Sequence, residues 1–290
     1  VNASPLHLQI ASKNIDLLLK SKKMSKTILV TGASSGFGLL IATKLHESGY
    51  KVIGTSRNPE KQQSEVPFKL MALDLADDGS VVSFTKQLFG QIQQLDVLIN
   101  NAGYLLTGLA EETPVELGKQ QFETNFWGTV KLTNALLPYF RKQKQGKIIT
   151  VGSLLGLLSL PNVAYYAASK HALEGYFKSL RFELNQFNIQ VSMIEPATFK
   201  TNIGNSATTA TGNIHDYDLF RQKISAYTKQ EFEKAPSPEP VIDTVLKVVQ
   251  EKAPKFSYPV GKGHSLFLTM QRFAYKTFEN AILKKVYTAI

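Results

Sequence analysis

Thr31-Gly32-Ala33-Ser34-Ser35-Gly36-Phe37-Gly38 stands between an apolar run, Thr27–Thr31, and a segment, Gly36–Ser48, in which Leu39, Leu40, Ala42 and Leu45 recur at helical spacing. A strand that turns directly into a helix needs each of these glycines. Gly32 permits the tight turn, Gly36 lets backbone approach a pyrophosphate, and Gly38 lets the helix pack against the strand. The first N–H groups of a helix have no partner within it, so they are free to hold phosphate oxygens. Gly32, Ser34, Ser35, Gly36, Phe37 and Gly38 are therefore candidate cofactor-binding residues. A glycine cluster alone says little; here strand, turn and helix are in register, as a dinucleotide turn requires.

Outward from that turn the pattern repeats. Short apolar strands are expected at Lys51–Thr55, Phe68–Leu73, Leu95–Ile99, Lys147–Val151, Gln190–Ile194 and Phe256–Val260. Helical periodicity falls at Ser80–Ile92, Pro114–Lys142, Val163–Phe187 and Val241–Glu251. Buried strands alternating with helices predict an α/β, doubly wound Rossmann fold, with a parallel sheet of about seven strands and helices on both faces. Residues 24–290 are read as one domain. A polar insertion at about 199–235, helical over 217–232, is expected to act as a substrate lid. Residues 262–290 form an aromatic, basic tail with an amphipathic helix at Ser265–Val286. Met24 directly precedes the first strand, so residues 1–23 are expected to be an extension outside the fold.

The end of the second strand speaks to cofactor choice. An NAD site places a carboxylate there to hold the ribose 2′-hydroxyl. Gly54-Thr55-Ser56-Arg57 has none. Arg57 suits a 2′-phosphate, helped by the hydroxyls of Ser34, Thr55 and Ser56, so NADP(H) is expected in preference to NAD(H).

Tyr166 and Lys170 lie one helical turn apart, thirteen residues beyond Ser153. A phenol ordinarily ionises near pH ~10. An ammonium beside it favours the phenolate and lowers that value, which makes the pair an acid/base device.

These residues resemble the short-chain dehydrogenase/reductase superfamily, of the single-domain type, from about Lys26 to Val260. The resemblance rests on TGASSGFG at 31–38, Asp74, NNAG at 100–103, Asn125, Ser153, Tyr166-x-x-x-Lys170 and the segment Pro196–Thr201, in the family's order and spacing. Tyr165 is not the family's tyrosine, because it stands five residues before Lys170. The resemblance implies an oxidoreductase acting on a CH–OH group or carbonyl with NAD(P). It implies catalytic roles for Asn125, Ser153, Tyr166 and Lys170. Asp74 and Leu75 would hold the adenine. Asn101, Ala102 and Gly103 would line the adenosine ribose. Pro196, Ala197, Phe199 and Thr201 would cover the nicotinamide, with Ala197 where the family commonly has glycine. Asn125 would brace a water chain leading from Lys170 to solvent. A homodimer or homotetramer built on the long helices is also implied.

Leu154, Leu155, Leu157 and Leu158 beside Ser153, with Phe199, Tyr217, Phe220, Tyr227, Phe267, Phe273 and Phe278, favour a hydrophobic carbonyl or alcohol substrate. The Gly-Phe-Gly turn and aromatic tail are similar to the hydroxysteroid and retinol dehydrogenase branch. A non-catalytic NADP(H)-binding sensor or scaffold is the alternative, although such proteins usually lose part of the Ser-Tyr-Lys set.

The 290 residues contain no cysteine, which excludes disulfides and thiolate metal sites and suits a cytoplasmic location. No metal site is expected. The net charge of +10 is confined to the ends. Residues 1–26 carry five lysines against one aspartate, residues 252–290 seven basic side chains against one glutamate, and the remainder is balanced. With a neutral body and no recognition motif, nucleic acid is not an expected partner. The basic, aromatic tail allows peripheral membrane contact.

Overall fold

The structure, a computed structural model, describes residues 25–201, 207–212 and 214–288. The expectation for residues 1–23 lies outside this range. The strands are β1 (Thr27–Val30), β2 (Lys51–Ser56), β3 (Lys69–Ala72), β4 (Val97–Asn100), β5 (Leu106–Thr107), β6 (Gly146–Val151), β7 (Ile189–Pro196), β8 (Thr208–Thr209) and β9 (Ser257–Val260). Seven form one parallel sheet in the order β3-β2-β1-β4-β6-β7-β9. The main helices are α1 (Gly36–Glu47), α2 (Asp78–Phe89), α3 (Val115–Phe122), α4 (Thr129–Gln143), α5 (Ala164–Leu184), α6 (Asp218–Glu233), α7 (Glu239–Gln250), α8 (His264–Phe273) and α9 (Tyr275–Tyr287).

Alternate residues along each strand serve opposite faces. Ile28 and Val30 of β1 and Val97 and Ile99 of β4 pack with Ile41 and Leu45 of α1 and Val241, Val245 and Val248 of α7. Leu29, Leu98, Ile148 and Val191 face the other way, onto Phe84 and Leu88 of α2, Leu136 and Phe140 of α4, and Leu173 and Phe177 of α5. From β1 the chain winds outward to β3, then crosses back to β4 on the other side of β1. The sheet therefore changes winding direction between β1 and β4, where a cleft opens at the carboxyl ends of the strands.

Three expected elements differ. The segment 114–142 is not one regular helix: Glu123–Gly128 is a π-helical turn between α3 and α4. The wider turn turns Asn125 toward the loop after β4 and seats Gly128 on Leu75, where a Cβ would lie 2.3 Å from the Leu75 carbonyl oxygen. The tail helix breaks at Ala274 (φ −142°, ψ 52°) into α8 and α9. The insertion adds a second, two-stranded pairing of β5 with β8, too short to show a period in sequence.

A third apolar cluster joins the insertion to the tail. Ile224 of α6 packs with Phe278, Ile282 and Val286 of α9 and with Leu158, and Tyr227, Phe220 and Phe267 lie against them. Arg221 of α6 pairs with Glu112 through two nitrogens, at 3.0 and 2.5 Å, which fastens the insertion to the loop after β5. Phe273, grouped in sequence with the aromatics that favour an apolar substrate, is instead 76% exposed.

Candidate active site

The turn between β1 and α1 has the geometry its glycines predict. Gly32 (φ 64°) and Gly36 (φ 54°) occupy the left-handed region that disfavours a side chain. A Cβ on Gly38 would lie 2.2 Å from the Gly32 carbonyl oxygen. The turn is braced from β4, where Asn101 donates through Nδ2 to the Thr31 carbonyl (2.9 Å) and the Thr31 hydroxyl accepts from the Asn101 and Ala102 amides (2.9 and 3.0 Å). Ser35 caps α1 in an extended conformation and makes no side-chain cap bond. The N-terminus of α1 thus keeps its positive end and free donors toward the cleft. This cradle, which side chains at Gly32 or Gly38 would fill, fits a dinucleotide pyrophosphate.

A single cavity of about 1100 Å³ runs from this turn to the tail. Its polar half is lined by Gly32, Ser34, Ser35, Gly36, Phe37, Arg57, Asp74, Leu75, Asn101, Ala102 and Gly103. Ser153, Tyr166, Lys170, Pro196, Ala197, Phe199 and Thr201 line its middle. Leu154, Leu155, Leu158, Tyr227, Phe267, Phe278 and Ile282 line the remaining, apolar half. Gly38 lies behind the wall, where it serves helix packing. Thr55 also lines the cavity, although it is buried, and its hydroxyl accepts from the Gly32 amide at 3.3 Å, so it shapes the turn as well. The Ser56 hydroxyl donates to Gln62 at 2.9 Å. Arg57 remains exposed at the mouth.

Ala197 is accommodated by Gly261 opposite, whose absent Cβ would sit 2.6 Å from the Ala197 methyl. The Ala197 amide donates to the Val260 carbonyl at 2.8 Å, so the backbone that closes this end is anchored to β9. Phe199 meets Phe37 edge-on, with ring centroids 6.2 Å apart. That contact ties the segment after β7 to the glycine turn.

Asn125 is buried outside the cavity lining. Its Oδ1 accepts from the Tyr104 amide (3.0 Å) and its Nδ2 donates to the Tyr104 carbonyl (2.9 Å). Both ends of its side chain are thus engaged in holding the loop after β4.

Tyr166 and Lys170 project from α5 into the cavity, whereas the ring of Tyr165 lies against Gly118 of α3, away from it. The Lys170 ammonium donates to the Val151 carbonyl at 3.1 Å and lies 5.7 Å from the Tyr166 ring centre. The Ser153 hydroxyl accepts from the Leu155 amide at 3.1 Å and is the polar side chain that acts on the Tyr166 phenol. Burial pushes the phenol up to about 12, and Ser153 only partly opposes this. The expected lowering by Lys170 is absent because the ammonium is directed at Val151, and because burial lowers its own value to about 8. In this state Tyr166 is a firmly protonated phenol beside a hydroxyl, at the junction of the polar and apolar halves. Such a pair can donate a hydrogen bond and then a proton to one oxygen.

The signals missed in sequence were Glu174 and Glu195. Both are buried, and both adjoin this site.

A short-chain dehydrogenase family model matches residues 26–212. The chain is 38% identical over 279 residues to an uncharacterized oxidoreductase, YusZ, of Bacillus subtilis, covering 91% of this chain and 99% of that one. It is 37% identical over 237 residues to a 3-ketodihydrosphingosine reductase of Bacteroides thetaiotaomicron, covering 81% and 87%. The crystal structure of a short-chain dehydrogenase from Streptomyces avermitilis superposes with a TM-score of 0.79 at 28% identity, covering 92% and 99%. The parallel sheet, the glycine turn and these matches agree that the chain belongs to the short-chain dehydrogenase/reductase family of NAD(P)-dependent oxidoreductases.

Proposed function

We propose that this protein is an NADP(H)-dependent oxidoreductase that interconverts a hydrophobic ketone or aldehyde and its alcohol. One observation carries the reading: the Ser153–Tyr166 pair stands where a dinucleotide cradle meets an apolar chamber within one cavity. The glycine turn, Asp74 and the 101–103 loop would hold the nucleotide, Arg57 its 2′-phosphate, and Thr201 and Phe199 the nicotinamide end. When bound, the cofactor supplies or accepts the hydride. Ser153 orients the substrate oxygen. Tyr166, kept protonated by burial, gives that oxygen its proton in the reductive direction, and the phenolate this leaves is the form that takes a proton back from the alcohol in oxidation. Lys170 supplies the nearby positive charge. The relative named as a 3-ketodihydrosphingosine reductase supports a lipid-like carbonyl.

The test is a screen of the purified protein with NADPH and NADH against steroid, retinoid, long-chain 3-keto, aliphatic and sugar carbonyls. Oxidation of NADPH by an apolar carbonyl is the expected result. Turnover restricted to small polar sugars would overturn the substrate class, and tight NADPH binding without any turnover would mark a sensor. Arg57→Ala should weaken NADPH binding at least tenfold more than NADH binding, as loss of a charge-assisted contact predicts; equal losses would remove the basis for NADP(H) preference.

We also infer that α8 and α9 lie against an anionic membrane surface. The inner face of α9 buries Phe278, Ile282 and Val286, while Leu266, Phe273, Tyr275, Leu283 and Tyr287 of the two helices are exposed among Lys262, Arg272, Lys276 and Lys284. Apolar anchors interleaved with basic side chains suit the headgroup boundary. Among the described residues no helix is long and apolar enough to cross a membrane.

A further inference from the structure

Glu174 follows Lys170 by one turn on the same face of α5, beyond the cavity lining. It is 6% exposed, and neither carboxyl oxygen has a hydrogen-bond partner among the described residues. Its place is defined by the backbone that carries Ser153. A Cβ on Gly152 would lie 3.3 Å from Glu174 Oε1, and one on Gly156 3.2 Å from its Cγ. The carboxyl therefore sits beneath the 152–156 turn, beside the strand end whose Val151 carbonyl receives the Lys170 ammonium. Glu195 of β7 is fully buried behind it. Its Oε2 accepts from the Tyr258 amide at 2.7 Å, and its Oε1 is unpartnered among the described residues. A buried carboxyl with no donor is costly when ionised, so its presence asks for a charge-related reason.

We propose that Glu174, with Glu195 behind it, is a positioning residue that sets the charge on Lys170. The proposal rests on the oxidoreductase reading only for its catalytic consequence. The charged groups around Glu174 are Glu195, Lys178 and Lys170, and those around Glu195 include Glu174 and Lys178. Burial first, and then the charge of Glu195, hold Glu174 at about 8, while burial, partly opposed by hydrogen bonds, holds Glu195 at about 7. Lys170 sits at about 8, lowered by burial and raised by Glu174. Lys170 and Glu174 thus gain and lose protons in the same range. An ionised Glu174 favours the ammonium, and an ionised Glu195 discourages Glu174 from ionising.

The experiment is competitive labelling of the Lys170 amine with acetic anhydride from pH 6 to 10, read by mass spectrometry on the full chain without cofactor. This titrates Lys170 whether or not the protein turns over a substrate, so failure of the proposal is distinct from failure of the functional reading. Glu174→Gln should move the Lys170 midpoint down by about one pH unit, through loss of the neighbouring negative charge. Glu195→Gln should move it up, because Glu174 then ionises more readily. Opposite shifts are not what a merely structural role produces. An unmoved midpoint in folded Glu174→Gln overturns the proposal. If that variant does not fold, an unmoved or lowered midpoint in Glu195→Gln overturns it instead.

Discussion

Tyr166 is a buried phenol on the cavity wall, and its chemistry follows from what reaches its oxygen. Ser153 does; the Lys170 ammonium, bound to the Val151 carbonyl, does not. Removing only the hydroxyl should leave the ring's packing intact. Tyr166→Phe is expected to lower kcat by at least ~100-fold, the scale of general acid catalysis, with NADPH binding measured by fluorescence within about twofold of the parent. Retained turnover would exclude the phenol as the acid. Glu174 and Glu195 carry a second prediction, on stability. Their native values lie near 8 and 7, above the ordinary carboxyl value of 4.5. Between about pH 5 and pH 7 the unfolded chain has released protons that the native protein still holds, so native stability falls as pH rises through that window. Thermal melting should show a Tm declining from pH 5 to 7.5, with a shallower slope in Glu174→Gln. A slope unchanged in that variant would mean its carboxyl is not held protonated in the fold.

At the scale of elements, the site depends on how helices and strands are closed off. α7 ends with carbonyls that have no helical partner. Lys147 of β6, buried beneath them, donates to the carbonyls of Val248 (2.8 Å), Val249 (2.9 Å) and Glu251. A cation at this end also complements the helix dipole. Lys147→Met keeps the apolar stem but leaves three acceptors unsatisfied. Calorimetry should show a loss of about 2 kcal/mol or more, with the nucleotide site unaffected in binding once folded. A Tm within 1 °C (roughly) of the parent would contradict the cap. The insertion is held the same way, by β5–β8 pairing and by Arg221 on Glu112. These contacts, rather than its polar sequence, determine that α6 faces the apolar chamber.

Across the whole molecule, the tail closes the chamber from inside and presents basic, apolar helices outside. Removing residues 262–290 should therefore have two effects. Co-sedimentation with anionic phosphatidylserine vesicles should fall severalfold, with little change for neutral vesicles. KM for an apolar carbonyl should rise while NADPH affinity holds, since Phe267, Phe278 and Ile282 line only the substrate half. Vesicle binding that survives the truncation would place the lipid surface elsewhere. The parallel sheet, its nucleotide turn and the Tyr166–Lys170 pair were legible in sequence because they are local: apolar runs of strand length, glycines at fixed offsets, and two side chains one turn apart; Ser153 was legible only through the family resemblance. Nothing local could show that Asn125 spends its side chain on Tyr104 or that Thr55 braces Gly32. The break at Ala274 and the seating of Glu174 under Gly152 were equally hidden. Hydrogen-bond partners and the dielectric around a charge come from segments distant in the chain, and only packing brings those together.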